Sequence, residues 1–219
     1  MFIVAKHIYG TALEGSDGRV GTLYDLLFDD QSWKLRHLVV STGRWFRGLQ
    51  VLVDPEVIER TDWPERHLQV RLTREQARQS PNADADLPVA RRQILEAVTQ
   101  ALVSEAYWAK IPDLSSEFEG DPHLHSTKML TGLHIHCTDG QLGHVEDFVI
   151  DDETWRVADL VVDTRNWWPG KRVLVEPTLV KSIDWDDRGI RLTRSREQIE
   201  HWPAYKGKLP TEERMLGNA

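Results

Sequence analysis

From Asp17 the chain reads DGRVGTLYDLLFDDQSWKLRHLVVSTGRWFRGLQVLVDP, and from Asp139 it reads DGQLGHVEDFVIDDETWRVADLVVDTRNWWPGKRVLVEP. The stretches align without a gap at an offset of 122, and 17 of the 39 aligned positions from Asp17 to Pro55 are identical. Two long copies point to a duplicated small domain, since a solenoid stacks more and shorter units. With its flanking segments each copy spans about 75 residues, near the lower limit for an independent core. Packing the copies together, or dimerising, would bury more surface.

The repeat reads as strands and turns. Lys6–Tyr9 reads as an opening strand, and Asp17-Gly18 as a tight hairpin turn in which glycine supplies a positive φ. Gly21–Asp29 and its counterpart GHVEDFVID alternate loosely with period 2. Tyr24 stands where the second copy has Glu146, so that position should reach solvent. Lys34–Ser41 and Arg156–Asp163 follow across polar turns at Asp29-Asp30 and Asp151-Asp152, each closed by a tryptophan, Trp33 or Trp155. QVLVD and RVLVE are short β-branched strands that stop at Pro55 and Pro177. Val57–Asp62 and Leu179–Asp184 are a fifth strand, and Leu68–Leu72 and Gly189–Leu192 a sixth. Aligned on the Leu-Thr-Arg that ends each copy, the last hairpin is two residues longer in the first copy, and the offset falls to 120. Five or six short strands per copy predict a small β-barrel.

Between the copies the pattern changes. Gln79–Leu87 is a polar linker, Pro88 suits a first helical turn, and Val89–Trp108 carries Ile94, Val98, Ala101, Leu102 and Ala106 at helical spacing. Asp113–His125 is polar and irregular, and the tail beyond Tyr205 is loose. The expected organisation is a first domain over 1–78, a linker over 79–125 with a helix over about 89–108, a second domain over 126–203 and a tail over 204–219. The helix stripe must be covered, either by the domains or by a second copy in a homodimer.

Charge and composition exclude several classes. The net charge is −8, and no region forms a basic footprint for a phosphate backbone, so nucleic acid is not an expected partner. The single cysteine, Cys137, rules out an intrachain disulfide and suits a reducing compartment. The opening MFIVAKHIYG lacks a secretory apolar region, and no run of 18 apolar residues exists. The expectation is a cytoplasmic protein without a membrane span.

The pattern DG..G...D...D...W.....LVV.T..W..G..VLV.P, present twice, resembles the PRC-barrel family, named for the cytoplasmic domain of the H subunit of the purple-bacterial photosynthetic reaction centre. The segment Leu72-Thr73-Arg74-Glu75-Gln76, then Ser80-Pro81 and Pro88-Val89, is similar to the stretch after the barrel in free-standing bacterial members. The resemblance covers about 10–75 and 132–203. It implies a mainly β fold of two small PRC-like barrels in tandem joined by a helical linker, acting in assembly or protein–protein contact without catalysis. The membrane helix of the reaction-centre subunit has no counterpart here, and that specialised role does not carry over.

Asp25 and Asp147 recur inside apolar strands and read as carboxylates that cap backbone donors at a barrel rim. The Asp-Asp pairs fall in turns, where aspartate accepts backbone N–H groups. The loops Thr-x-x-aromatic-aromatic-x-Gly hold Arg44, Trp45, Phe46 and Arg47 in the first copy and Arg165, Trp167 and Trp168 in the second, with Lys171 and Arg172 beside them. One aromatic of each pair closes the barrel end, and its neighbour points away; exposed aromatics beside arginine are typical of protein interfaces. His123, His125, His134, His136 and His144 cluster around Cys137 in sequence, and His134 and His136 share one strand face as a metal-binding pair. Two ligands fall short of a closed site, and no ordered nucleophile–base set is present, so neither a cofactor nor an enzyme is expected. The leading expectation is a scaffold or protein-interaction module using the aromatic–basic loops. The alternative is a ligand- or metal-responsive regulator using the His-rich second copy.

Overall fold

One 12-residue strand per repeat lies at the centre of its sheet and pairs directly with three others. The computed structural model describes residues 1–43, 49–83, 121–164, 171–185 and 187–207. The first repeat runs β1 (Phe2–Val4), a helical turn α1 (Ala5–Ile8), β2 (Ala12–Gly15), β3 (Gly18–Asp29), β4 (Leu35–Ser41), β5 (Gln50–Val53), β6 (Ile58–Asp62), β7 (His67–Val70) and α2 (Arg74–Gln79). The second runs β8 (Leu124–Ser126), α3 (Thr127–Leu130), β9 (His134–Cys137), β10 (Gly140–Asp151), β11 (Arg156–Asp163), β12 (Arg172–Val175), β13 (Val180–Asp184), β14 (Gly189–Leu192) and α4 (Arg196–Glu200). A single 3-10 turn opened by proline, Pro55–Val57 or Pro177–Leu179, separates the fourth and fifth expected strands. The expected helix over 89–108 lies outside the described residues.

The described residues are mainly β, in two seven-stranded sheets. One has the order β12-β11-β10-β9-β14-β13 with β1 on β10, and the other β5-β4-β3-β2-β7-β6 with β8 on β3. Each is an open path, with no pairing between its terminal strands among the described residues, so the expected closed barrels are not found.

The chain divides into two compact units that are not continuous in sequence. One holds Met1–Tyr9, Ser32–Leu35 and the chain from Thr127 on; the other holds Gly10–Gln31 and Arg36–Ser126. The first nine residues, expected in a domain over 1–78, therefore belong with the second repeat. The reason lies in strand lengths. The four-residue β9 pairs with β10 only over Gly140–His144, which leaves the far part of that edge, Val149–Asp151, with unpaired backbone groups. Buried backbone groups must find partners, and β1 supplies them, with Phe2 opposite Asp151, Ile3 opposite Ile150 and Val4 opposite Val149. In the other unit β8 fills the same gap on β3, with Leu124 opposite Asp29, His125 opposite Phe28 and Ser126 opposite Leu27. Each repeat thus gives its opening segment to the sheet of the other.

Lys6–Tyr9 is not a strand. Ala5 and Ile8 are buried at a spacing of three, one face of a helical turn, and Thr127 and Leu130 repeat the arrangement. Ile3, Val4 and Ile8 are each at most 8% exposed; burying three such side chains is worth about 5 kcal/mol, comparable with the whole stability of a small domain. The long strands alternate only at first because β10 carries a bulge against β11 between Val145 and Asp147. Beyond it Asp147, Phe148, Val149 and Ile150 are all buried, and Asp25–Phe28 are buried likewise in β3. The bulge turns a polar position inward. Tyr24, at the position expected to reach solvent, is 45% exposed.

The offset of 122 holds to the end of both copies, which corrects the shift to 120. β7 begins at His67 and β14 at Gly189, preceded by Arg66 and Arg188, both with positive φ (54° and 47°). The matching helix starts are therefore Thr73-Arg74-Glu75-Gln76 and Ser195-Arg196-Glu197-Gln198, each closed by a full capping box. The aspartate of each DG turn accepts the first helical N–H: Asp17 from Arg74 at 2.9 Å and Asp139 from Arg196 at 2.8 Å. The motif's ends are thereby tied together across the repeat.

The second glycine of the DG..G motif is fixed by a close backbone approach. A Cβ on Gly21 would lie 2.4 Å from the Ser41 carbonyl oxygen, and on Gly143 1.9 Å from that of Asp163. Gly143→Ala is therefore expected to cost about 2 kcal/mol or more, read as a lower midpoint in urea unfolding. Gly132→Ala, where a Cβ meets nothing within 4 Å but φ is +90°, should cost less.

Candidate functional site

The aromatic–basic loops spring from matched necks. Thr42 is buried at the end of β4, and both its N–H and its hydroxyl donate to the Leu49 carbonyl, at 3.0 and 2.8 Å. Thr164 does the same to the Lys171 carbonyl, at 3.1 and 2.8 Å. The threonine of the repeated motif is thus a clamp that closes each loop at its base. Arg44, Trp45, Phe46, Arg47, Arg165, Trp167 and Trp168 lie outside the described residues. Leu49, at the neck of the first loop, is 39% exposed. Lys171 and Arg172, expected to supply charge beside the second loop, are engaged within their own unit: the Lys171 ammonium donates to the Glu200 carbonyl, and the Arg172 guanidinium pairs with Glu146.

The repeated acids receive the exchanged segments. The Asp25 carboxylate accepts the Leu26 N–H at 2.8 Å and the Ser126 hydroxyl at 2.5 Å, holding β8. Asp147 accepts the Phe148 N–H at 2.8 Å and the Lys6 N–H at 3.3 Å, holding α1, with the Lys6 ammonium 3.7 Å away. Burial pushes the Asp147 carboxyl above its ordinary value, against the pull of the Phe148 and Lys6 amides. Asp30, in the turn after β3, bridges two rings, with Oδ1 2.9 Å from His123 Nδ1 and Oδ2 3.0 Å from His125 Nε2. Burial alone would raise the Asp30 carboxyl, but hydrogen bonds and charge from His125 and His123 outweigh it and hold it below the usual range. The His125 ring is buried 5.9 Å from that of Phe28. The expected rim-capping role for Asp25 and Asp147 is met in part: they cap backbone donors, and those donors include groups on a segment from the other repeat.

The histidine cluster seen in sequence separates between the units. His123 and His125 serve Asp30, whereas His134, His136 and His144 stand on β9 and β10. His134 and His136 do share one face, with ring centroids 6.3 Å apart. His134 Nδ1 is 2.8 Å from the Gln141 amide nitrogen, and the His136 ring lies over Gly189. Among the described residues no group of three or more His, Cys, Asp or Glu could hold a metal ion. Cys137 is buried, and burial together with the Asp139 charge pushes its thiol up to about 11, away from nucleophilic reactivity.

His125, Ser126 and Asp30 are the residue types of a hydrolytic triad, but they are not arranged as one. Neighbours on a strand point to opposite faces; the Ser126 hydroxyl donates to Asp25, while His125 bonds to Asp30.

Residues 135–199, within the second repeat, match the model of the PRC-barrel domain, so a PRC-barrel domain is present there. No curated protein matches the chain. Among the described residues no helix is long and apolar enough to cross a membrane.

Two titrations test these assignments. On β11, burial and then the charge of Glu176 push the Asp159 carboxyl up to about 6, from an ordinary value of 3.8. Its contribution to stability is complete below 3.8 and is lost as pH rises through about 6. Asp159→Asn should match the wild type near pH 3.5 and exceed it by about 2 kcal/mol at pH 8 in chemical unfolding. Asp30 has the opposite sign. Its stabilisation is present above the ordinary aspartate value and lost as pH falls through its lowered one. Asp30→Asn should be less stable than the wild type at pH 7, with the gap closing in acid.

Proposed function

We propose that the protein is a non-catalytic scaffold of the PRC-barrel type, present in two tandem copies, that binds a protein partner through the loops at 44–47 and 165–172. The observation that carries this reading is the pair of threonine clamps. Thr42 and Thr164 hold both loop bases with the same two hydrogen bonds, so sequence of interface composition is presented from a fixed neck in each repeat. Binding loops on a rigid framework are the usual place for recognition. Phe46 and Trp168 are the favoured anchors, because aromatics beside arginine dominate binding energy at protein interfaces. Two similar loops on one chain allow bivalent engagement. The acids and histidines that could support chemistry are used in joining strands, which favours a binding role over catalysis. A single cysteine, with no intrachain partner for a disulfide, fits a reducing, cytoplasmic setting.

The test compares wild type with Phe46→Ala/Trp168→Ala, by crosslinking in host extract with mass spectrometry and by thermal unfolding. The reading expects loss of the crosslinked partner with a change in Tm of no more than about 2 °C, as for surface substitutions. A large fall in Tm would make these residues core, and an unchanged crosslinking pattern would remove the loops from the interface.

A further inference from the structure

The two exchanged pairings are reciprocal. Phe2, Ile3 and Val4 face Asp151, Ile150 and Val149; Leu124, His125 and Ser126 face Asp29, Phe28 and Leu27. Adding 122 to each donor residue of the first set gives the donor of the second, and subtracting it from each acceptor gives the acceptor. The pairing rule joins the opening segment of one repeat to the long strand of the other, and nothing in that rule requires both repeats to lie on one chain. Reciprocal contacts of this kind close at two copies rather than growing into filaments.

We propose that the β10 edge at Val149–Asp151 is a strand-addition site that a second copy of this chain can fill, its Phe2–Ile8 segment replacing the resident one to give a closed, exchanged dimer. Three features carry this. The donated piece is short and is joined to its own repeat at Tyr9-Gly10, where Gly10 has φ +79° and can serve as the hinge. The receiving edge cannot stay empty in water, because Ile3, Val4, Ala5 and Ile8 are all buried on it. The edge also selects its occupant by chemistry. Asp147 accepts the Lys6 N–H, and Glu146 and Asp147 lie 3.8 and 3.7 Å from the Lys6 ammonium. A short apolar strand followed by a helical turn with a lysine at that position suits the site, and another molecule of this protein presents the same one. In dilute solution the tethered segment wins, since a short linker gives it a millimolar effective concentration. Exchange therefore belongs to concentrated solution and to refolding from the unfolded state.

The full chain tests this. In a Cys137→Ala background, one preparation carries Phe2→Cys and an isotopically labelled one carries Asp151→Cys. They are unfolded together, refolded at about 1 mM or about 1 μM, two regimes that bracket the tether's advantage, and then oxidised. The expected result is a disulfide-linked mixed dimer from the refolding at about 1 mM, about tenfold above a control pairing Phe2→Cys with the exposed Lys181→Cys, and little of it from the refolding at about 1 μM. Placing both cysteines on one chain should give an intramolecular disulfide at low concentration. Mixed dimer no more abundant than the control would overturn the proposal, as would failure of the intramolecular bond. Wild-type protein refolded at both concentrations and sized by light scattering gives a readout free of substitutions. Only monomer after concentrated refolding counts against exchange, and a dimer that survives dilution supports it.

Discussion

The structure depends on the completion of one strand edge. A 12-residue strand outruns the four-residue neighbour that pairs with its start, and its far end would otherwise expose backbone donors and acceptors beside apolar side chains. An unmade buried hydrogen bond is costly, so the fold imports a segment. That import decides which residues form each unit, why Asp147 and Asp25 stand inside apolar strands, and why the opening residues of each repeat are buried, apolar at Ile3 and Val4 and polar but hydrogen-bonded at His125 and Ser126. The tryptophans after the acidic turns take part in the same economy. Trp33 and Trp155 both have positive φ, and their carbonyls accept from Val157 and Leu35 at 2.8 and 2.7 Å.

Much of this architecture can be read from the chain. The strands, the DG turns and the mainly β class follow from alternation, β-branched runs and repeated glycines. The repeat itself argues for two units of one design. What escapes is which strand sits beside which. Phe2–Val4 looks like any short apolar strand, and alternation within a segment holds no record of a partner some 150 residues away. The misplaced strand at Lys6–Tyr9 has a related cause, since one helical turn is too short to show a period of 3.6. The Leu-Thr-Arg shared by Leu72–Arg74 and Leu192–Arg194 suggests a length difference between the copies, but these triplets are not structural equivalents: the capping residues Thr73 and Ser195 are, at the offset of 122.

The acids and histidines show the same limit at the level of sites. Asp25 and Asp147 are legible as carboxylates with a structural task. Their partners, Ser126 and Lys6, are not, because both partners arrive on exchanged segments. His123 and His125 sit near His134 and His136 in sequence, yet the chain crosses from one unit to the other between Ser126 and Thr127. Proximity along the chain therefore suggested one cluster where there are two. One signal is present: the first copy has Phe2 and Ile3 where the second has Leu124 and His125, and a histidine in place of a core isoleucine invites a search for its hydrogen-bond partner. Asp30 is that partner.

Pairing Ile3 with Ile150 also bears on how the protein is made. A ribosome adding about 5–20 residues per second releases the opening segment on the order of ten seconds before its acceptor exists. In that interval Ile3, Val4 and Ile8 have no native place to go, and β3 waits likewise for Leu124–Ser126. Such high contact order slows folding, because distant loops must close before any contact rewards them. The nascent first repeat is thus an unfinished sheet, its β3 edge at Leu27–Asp29 open until Leu124–Ser126 is made.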